Sequence, residues 1–151
     1  MPTLKDQLRS DLTHAMKARD ETRTRTLRMA LTSISNEEVA GSAARNLTDD
    51  EVIKILTREA KRRREAAAAF ADAGRDDQAA AERAEDHVLA GYLPAQLDDD
   101  ELAVMVAAAI AETGAAGPAG IGQVMKVVTP RVAGRADGSR VAALVRSQLT
   151  G

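Results

Sequence analysis

Residues 47–74 read LTDDEVIKILTREAKRRREAAAAFADAG, and this stretch decides the fold class. Thr48 stands at an N-cap with Glu51 three residues later, and Leu47 faces Val52 as a hydrophobic staple. From Val52, a turn of 100° per residue aligns Leu56, Ala60, Ala67 and Phe70 on one stripe, and Gly74 closes the run. A helix from Thr48 to about Ala73 follows. Arg63 falls inside that stripe whereas Lys61 points away, so an arginine is aimed at the core.

A second helix starts near Asp76 or Asp77 and continues to Leu93, with Ala81, Ala84, Val88, Leu89 and Tyr92 setting its stripe and Glu85 within it. The intervening turn is short, so the two helices form an antiparallel hairpin. Counted from the turn at Arg75, Arg63 and Glu85 lie at nearly the same height. A partly buried Arg63 to Glu85 salt bridge is expected, with Glu59 or Glu82 as competing partners and register as its role.

The same grammar extends outward. Leu4, Leu8, Leu12, Ala15 and Met16 place a helix over about Thr3 to Ala18, and Asp20 caps the next, lined by Leu27, Ala30, Leu31 and Ile34. LDDDEL at 97–102 is another helix start, whose acids suit free backbone amides and the helix dipole and need no metal. Leu102, Met105, Val106, Ala109 and Ile110 face inward until Gly114. Pro118 opens the next helix, with Ile121, Val124, Met125 and Val128 inside, and Pro130 should kink or end it. A last helix carries Val141, Leu144, Val145 and Leu149. Gly91 and Pro94 in GYLPAQL, 91–97, mark the domain boundary, giving an all-α chain of two helical domains, 1–94 and 95–151.

Composition narrows the function. The 151 residues contain no cysteine, so thiol nucleophiles, disulfides and cysteine metal sites are excluded. Phe70 and Tyr92 are the only aromatics, which leaves alanine and aliphatic residues to fill closely packed helices. There is no apolar run of signal-peptide or membrane-spanning length, and a soluble cytoplasmic protein without membrane contact is expected. His14 and His87 read as surface residues, and no phosphate-binding glycine loop or other cofactor motif occurs. No catalytic residue is assigned.

The net charge of −2 hides a division. Residues 98–112 hold five acids and no base, whereas 121–151 hold Lys126, Arg131, Arg135, Arg140 and Arg146 against Asp137 alone. In VAGRADGSRV, 132–141, Gly134 suits a left-handed helix end and Asp137 the N-cap of the last helix. Neither cap requires Arg135. With Arg140 it brackets a helix N-terminus, and the five bases are the candidate phosphate-binding residues for RNA. Removing Arg135 is expected to leave stability nearly unchanged.

LRMAL (27–31), KRRREA (61–66), AGRDDQA (73–79), GYLPAQL, IGQVMK (121–126) and GRADGSRV (134–141), in this order, resemble the GatB/YqeY family in its free-standing form. The part from about Leu97 is similar to the tail domain of the B subunit of the glutamine-dependent amidotransferase acting on misacylated Glu-tRNA or Asp-tRNA. That resemblance implies a non-catalytic, tRNA-holding accessory role beside a carbon–nitrogen ligase, with tRNA or another structured RNA as partner, and an aminoacyl-tRNA or amidotransferase-related protein as a further partner. The kinase-like body of the B subunit and the serine and lysine apparatus of the amidase have no counterpart here. The alternative is a helical protein interaction module without RNA contact, because aromatics for base stacking are absent.

Overall fold

The computed structural model describes residues 2–150, and among them every regular element is helical. The elements are α1 (Leu4–Lys17), α2 (Glu21–Glu38), α3 (Asp49–Asp72), α4 (Asp76–Ala90), α5 (Asp99–Thr113), a 3-10 turn (Pro118–Gly120), α6 (Ile121–Val132) and α7 (Gly138–Thr150). They group into two compact units, one ending at Leu93 and the other beginning at Pro94.

In the first unit, α3 and α4 form the hairpin, α2 packs on both, and α1 lies on α2 and α3. Leu8, Leu27, Ile34, Val52, Leu56 and Leu89 fill its core. The helix starts obey the sequence: Thr3 with Asp6 and Thr48 with Glu51 make reciprocal capping boxes, and Asp20 accepts the Arg23 N–H. Arg45, with the Thr48 backbone N–H behind it, holds the Glu51 carboxyl down to about 2.

Helix α4 departs from expectation in two ways. It ends at Ala90 rather than Leu93, because the Tyr92 and Leu93 amides turn back to Leu89 and Ala90 in tighter three-residue loops. Its buried residues are Ala79, Glu85 and Leu89, while Ala81 and Ala84 are exposed. Alanine buries too little surface to set the face, which is carried by Leu89 in the core with Val88 packed beside it and Glu85 in the same row.

The second unit is a three-helix arrangement in which α5, α6 and α7 all meet one another. Leu97, Leu102, Val106, Val124, Val128, Val141 and Val145 form its core. Asp98 and Glu101 build the capping box of α5, and Gly114 ends that helix in the left-handed region at φ 66°. Pro130 does not end α6, which runs on to Val132. Pro130 is exposed, so the carbonyl it leaves unpaired meets water. The helix stops instead at Ala133 and Gly134, with φ 50° and 79°. Gly134 takes this conformation freely; Ala133 bears roughly 1 kcal/mol of strain. No single helix among the described residues is long and apolar enough to cross a membrane.

Candidate functional site

The ion pair expected across the hairpin is present, and it is one edge of a larger cluster. Arg63 is buried at 5% exposure, with Glu59 and Glu85 at 7% and 8%. Its Nη1 donates to Glu59 Oε2 at 2.8 Å and to the Glu59 carbonyl at 3.0 Å. Its Nε lies 3.4 Å from Glu85 Oε2 but without hydrogen-bond alignment, so that edge is purely coulombic. Glu59 is therefore the tighter partner. Arg25 on α2 donates from Nε to Glu85 Oε1 at 2.9 Å, Ser33 reaches Glu59 at 3.2 Å, and Arg63 Nη2 meets Met29 Sδ at 3.6 Å. The cluster ties α2 to both hairpin helices. The rest of the basic run stays outside: Lys61 and Arg62 are exposed beside Glu65 and Glu59, and Arg64 reaches Asp86 on α4.

A second polar group joins α1, α2 and the end of α4. Tyr92 Oη donates to Asp11 Oδ2 at 2.5 Å and accepts from Arg23 Nη2 at 3.1 Å. Burial, followed by the bond to Asp11, pushes the phenol above its ordinary range. A folded-state value above the unfolded one means that the native protein keeps this proton longer. Stability from this group is complete below the ordinary tyrosine pKa of about 10 and is lost as pH rises past it. The Tyr92→Phe protein should lack this alkaline decline, so the gap between parent and variant melting temperatures should be constant up to about pH 10 and narrow above it in differential scanning calorimetry. Beside this group a cavity of about 590 Å³ is lined by Asp6, Asp11 and Asp49. Each acid is already engaged: Asp6 caps α1, Asp11 takes the tyrosine proton and Asp49 accepts the Leu4 N–H.

The five basic residues of the second unit do not converge. Arg135 Nε donates to the Ala95 carbonyl at 2.9 Å, the Leu97 amide donates to the Arg135 carbonyl at 2.8 Å, and Gln96 reaches the Gly134 carbonyl at 3.5 Å. Arg140 adds a bond from Nη1 to the Leu97 carbonyl at 2.9 Å and a 2.7 Å ion pair with Asp99. The turn between α6 and α7 thus clasps the chain's own residues 95–99. Arg135 is half-buried and bonded to Ala95, contacts that run against the expectation that its removal leaves stability nearly unchanged. Asp137 precedes α7 and its carbonyl accepts the Val141 N–H, which is the N-cap position expected of it.

Arg131 pairs with Glu112 at 2.6 Å, near the end of α5 opposite to Asp99. At a rise of 1.5 Å per residue these two anchor points are about 20 Å apart. Lys126 and Arg146 are exposed and carry no side-chain hydrogen bond or ion pair among the described residues. Lys126 lies two residues from both Val124 and Val128, on the face of α6 away from the core. His14 and His87 are exposed.

Sequence reasoning did not find Arg25 as the second base on Glu85, the Asp11, Tyr92 and Arg23 group, or the clasp. Arg25 and Arg23 precede LRMAL without a pattern that singles them out. For the clasp, the unexplained Arg135 was the available signal.

Among curated proteins none matches the chain. The family model described as Yqey-like protein matches residues 5–149. The helical hairpin with its buried arginine and the clasped C-terminal unit both lie inside the matched span, and the chain belongs to the Yqey-like protein family.

Proposed function

We propose that this protein is a non-catalytic accessory that holds structured RNA, tRNA above all, through its C-terminal unit. The role is related to that of the tRNA-holding tail of a glutamine-dependent amidotransferase, a carbon–nitrogen ligase, and its setting is the cytoplasm. The observation that carries the reading is the charge of α6, the turn and α7: Lys126, Arg131, Arg135, Arg140 and Arg146 against one acid. Lys126 and Arg146 are open to solvent, and the Arg131 and Arg140 pairs lie at the surface, with their acids 53% and 95% exposed. Surface ion pairs contribute little, so a phosphate can replace the carboxylate with small loss. Because the bases are spread over separate faces, the surface would read backbone and shape rather than base edges.

Lys126 and Arg146 provide the clean test, since neither is used by the fold. A Lys126→Glu, Arg146→Glu protein should bind a tRNA transcript at least tenfold more weakly in filter binding, with an unchanged melting temperature. Its salt slope should flatten by about 0.7 to 0.9 for each phosphate that is no longer neutralised. Unchanged affinity and slope would remove the RNA reading and leave the alternative, a helical protein interaction module without RNA contact. Arg135→Ala is the weaker probe, because it also loosens the clasp on residues 95–97.

A further inference from the structure

The α1–α2 turn of the first unit borders an open groove of about 730 Å³ that none of the preceding roles uses. Met16 and Met29 line it with 49% and 44% of their surface in solvent. Single exposed apolar residues are ordinary, but two methionines sharing one concave surface give it an adaptable apolar floor. Met29 is held in place by the buried Arg63, whose Nη2 meets its sulfur at 3.6 Å.

Around this floor stand Arg19, Arg25 and Arg28, with Glu21 as the single acid. Arg25 is partly neutralised by Glu85, although 53% of its side chain remains exposed. The guanidinium groups of Arg19 and Arg28 have no ion pair or hydrogen bond among the described residues. Arg19 also sits in the left-handed region at φ 56°, where glycine or asparagine would be less strained. That conformation ends α1, with the Arg19 and Asp20 amides turned back to the Met16 and Ala15 carbonyls, and it leaves an unpartnered guanidinium at the rim of the groove.

We infer that this groove docks an amphipathic helix of a partner protein, with leucine or methionine on one face and glutamate or aspartate along its flanks. Charge complementarity selects the acids, and the methionine floor selects the apolar stripe. Along α2, Arg25, Arg28 and Met29 stand three and four residues apart and so share one face of the helix. Thioethers offer nothing to phosphate, and no aromatic in the groove can stack on a base, so a protein helix suits it better than RNA. This inference stands on the first unit and is independent of RNA binding by the second.

The probe is a fluorescein-labelled, designed 16-residue helix of leucine and glutamate in amphipathic order, with a scrambled peptide of identical composition as control, titrated against the full chain by fluorescence anisotropy. The ordered peptide should bind at least tenfold more tightly than the scrambled one. Met29→Glu and Arg28→Glu should each weaken it about tenfold, and Arg83→Glu, on the exposed face of α4, should leave it unchanged. Arg19→Gly should raise the melting temperature by relieving the strained backbone and yet weaken the peptide severalfold. A merely structural Arg19 would move only the first of these. Equal binding of the two peptides, or full affinity in Arg19→Gly, would overturn the inference. So would groove variants that lose a tRNA transcript but keep the peptide, which would make the groove a nucleic-acid surface, or a groove closed by self-association in sedimentation.

Discussion

Replacing Arg63 with alanine should lower the unfolding free energy by about 3 kcal/mol, the largest effect of any single substitution considered for this protein. The reason is what remains. Glu59 and Glu85 are less than a tenth exposed, and without the guanidinium Glu59 loses its principal positive neighbour and Glu85 the second of its two. Breaking a buried pair on one side typically costs about 3–5 kcal/mol. The lower end applies, because Ser33 still donates to Glu59 and Arg25 still donates to Glu85. Urea unfolding followed by far-UV circular dichroism measures it. Arg62→Ala is the internal control: that side chain is 67% exposed and its 3.5 Å contact with Glu59 is worth little. If Arg63→Ala unfolds at the parent's urea concentration, the cluster does not fix the hairpin register. A protein with Arg63→Met, Glu59→Leu and Glu85→Leu should recover most of the loss, since removing all three charges removes the unpaired burial.

Gly120→Ala should destabilise the second unit by about 1–3 kcal/mol, the range for overpacking a closed site. Gly120 is buried where the 3-10 turn enters α6, and a methyl group there would come within 2.7 Å of the Ala115 Cβ. Neither carbon lies at the end of a flexible side chain. Relief requires the backbone of residues 115–120 to move, against a core that includes Ala115, Ile121 and Val124. Hydrogen exchange read by mass spectrometry separates the two units: peptides from 97–150 should exchange faster in the variant, and those from 4–90 at the parent rate. Ala115→Gly combined with Gly120→Ala should restore most of the protection, because the pair then holds one methyl group instead of two. Exchange that is unchanged in Gly120→Ala would show that the turn has room to yield.

The helices were legible in the sequence because their signals are local. Thr48 with Glu51, Asp98 with Glu101, Asp20, Gly74 and Gly114 act within one turn of backbone, through hydrogen bonds and left-handed φ values that depend on near neighbours alone. Arg63 could also be placed, because one long periodic stripe defines a face and an arginine within it must find an acid at equal height on the facing helix. On α4 the stripe placed Glu85, Val88, Leu89 and Tyr92 on the packed face and erred only at Ala81 and Ala84, where alanine carries too little apolar surface to mark a face.

What lay beyond the sequence was the choice among partners. Sequence alone named Glu85, Glu59 and Glu82 as candidate partners of Arg63 and left Arg135 a charge in need of an explanation; only the tertiary structure decided which oxygens they, and Arg140, reach. Arg25 arrives at Glu85 from 60 residues away, and Arg135 and Arg140 close on residues 95–99 some 40 residues earlier. A guanidinium directs its donors to whichever oxygen the fold brings within about 3 Å, and such proximity depends on helix packing, not on chain spacing. The same physics leaves Lys126 and Arg146 of the second unit without an oxygen partner among the described residues.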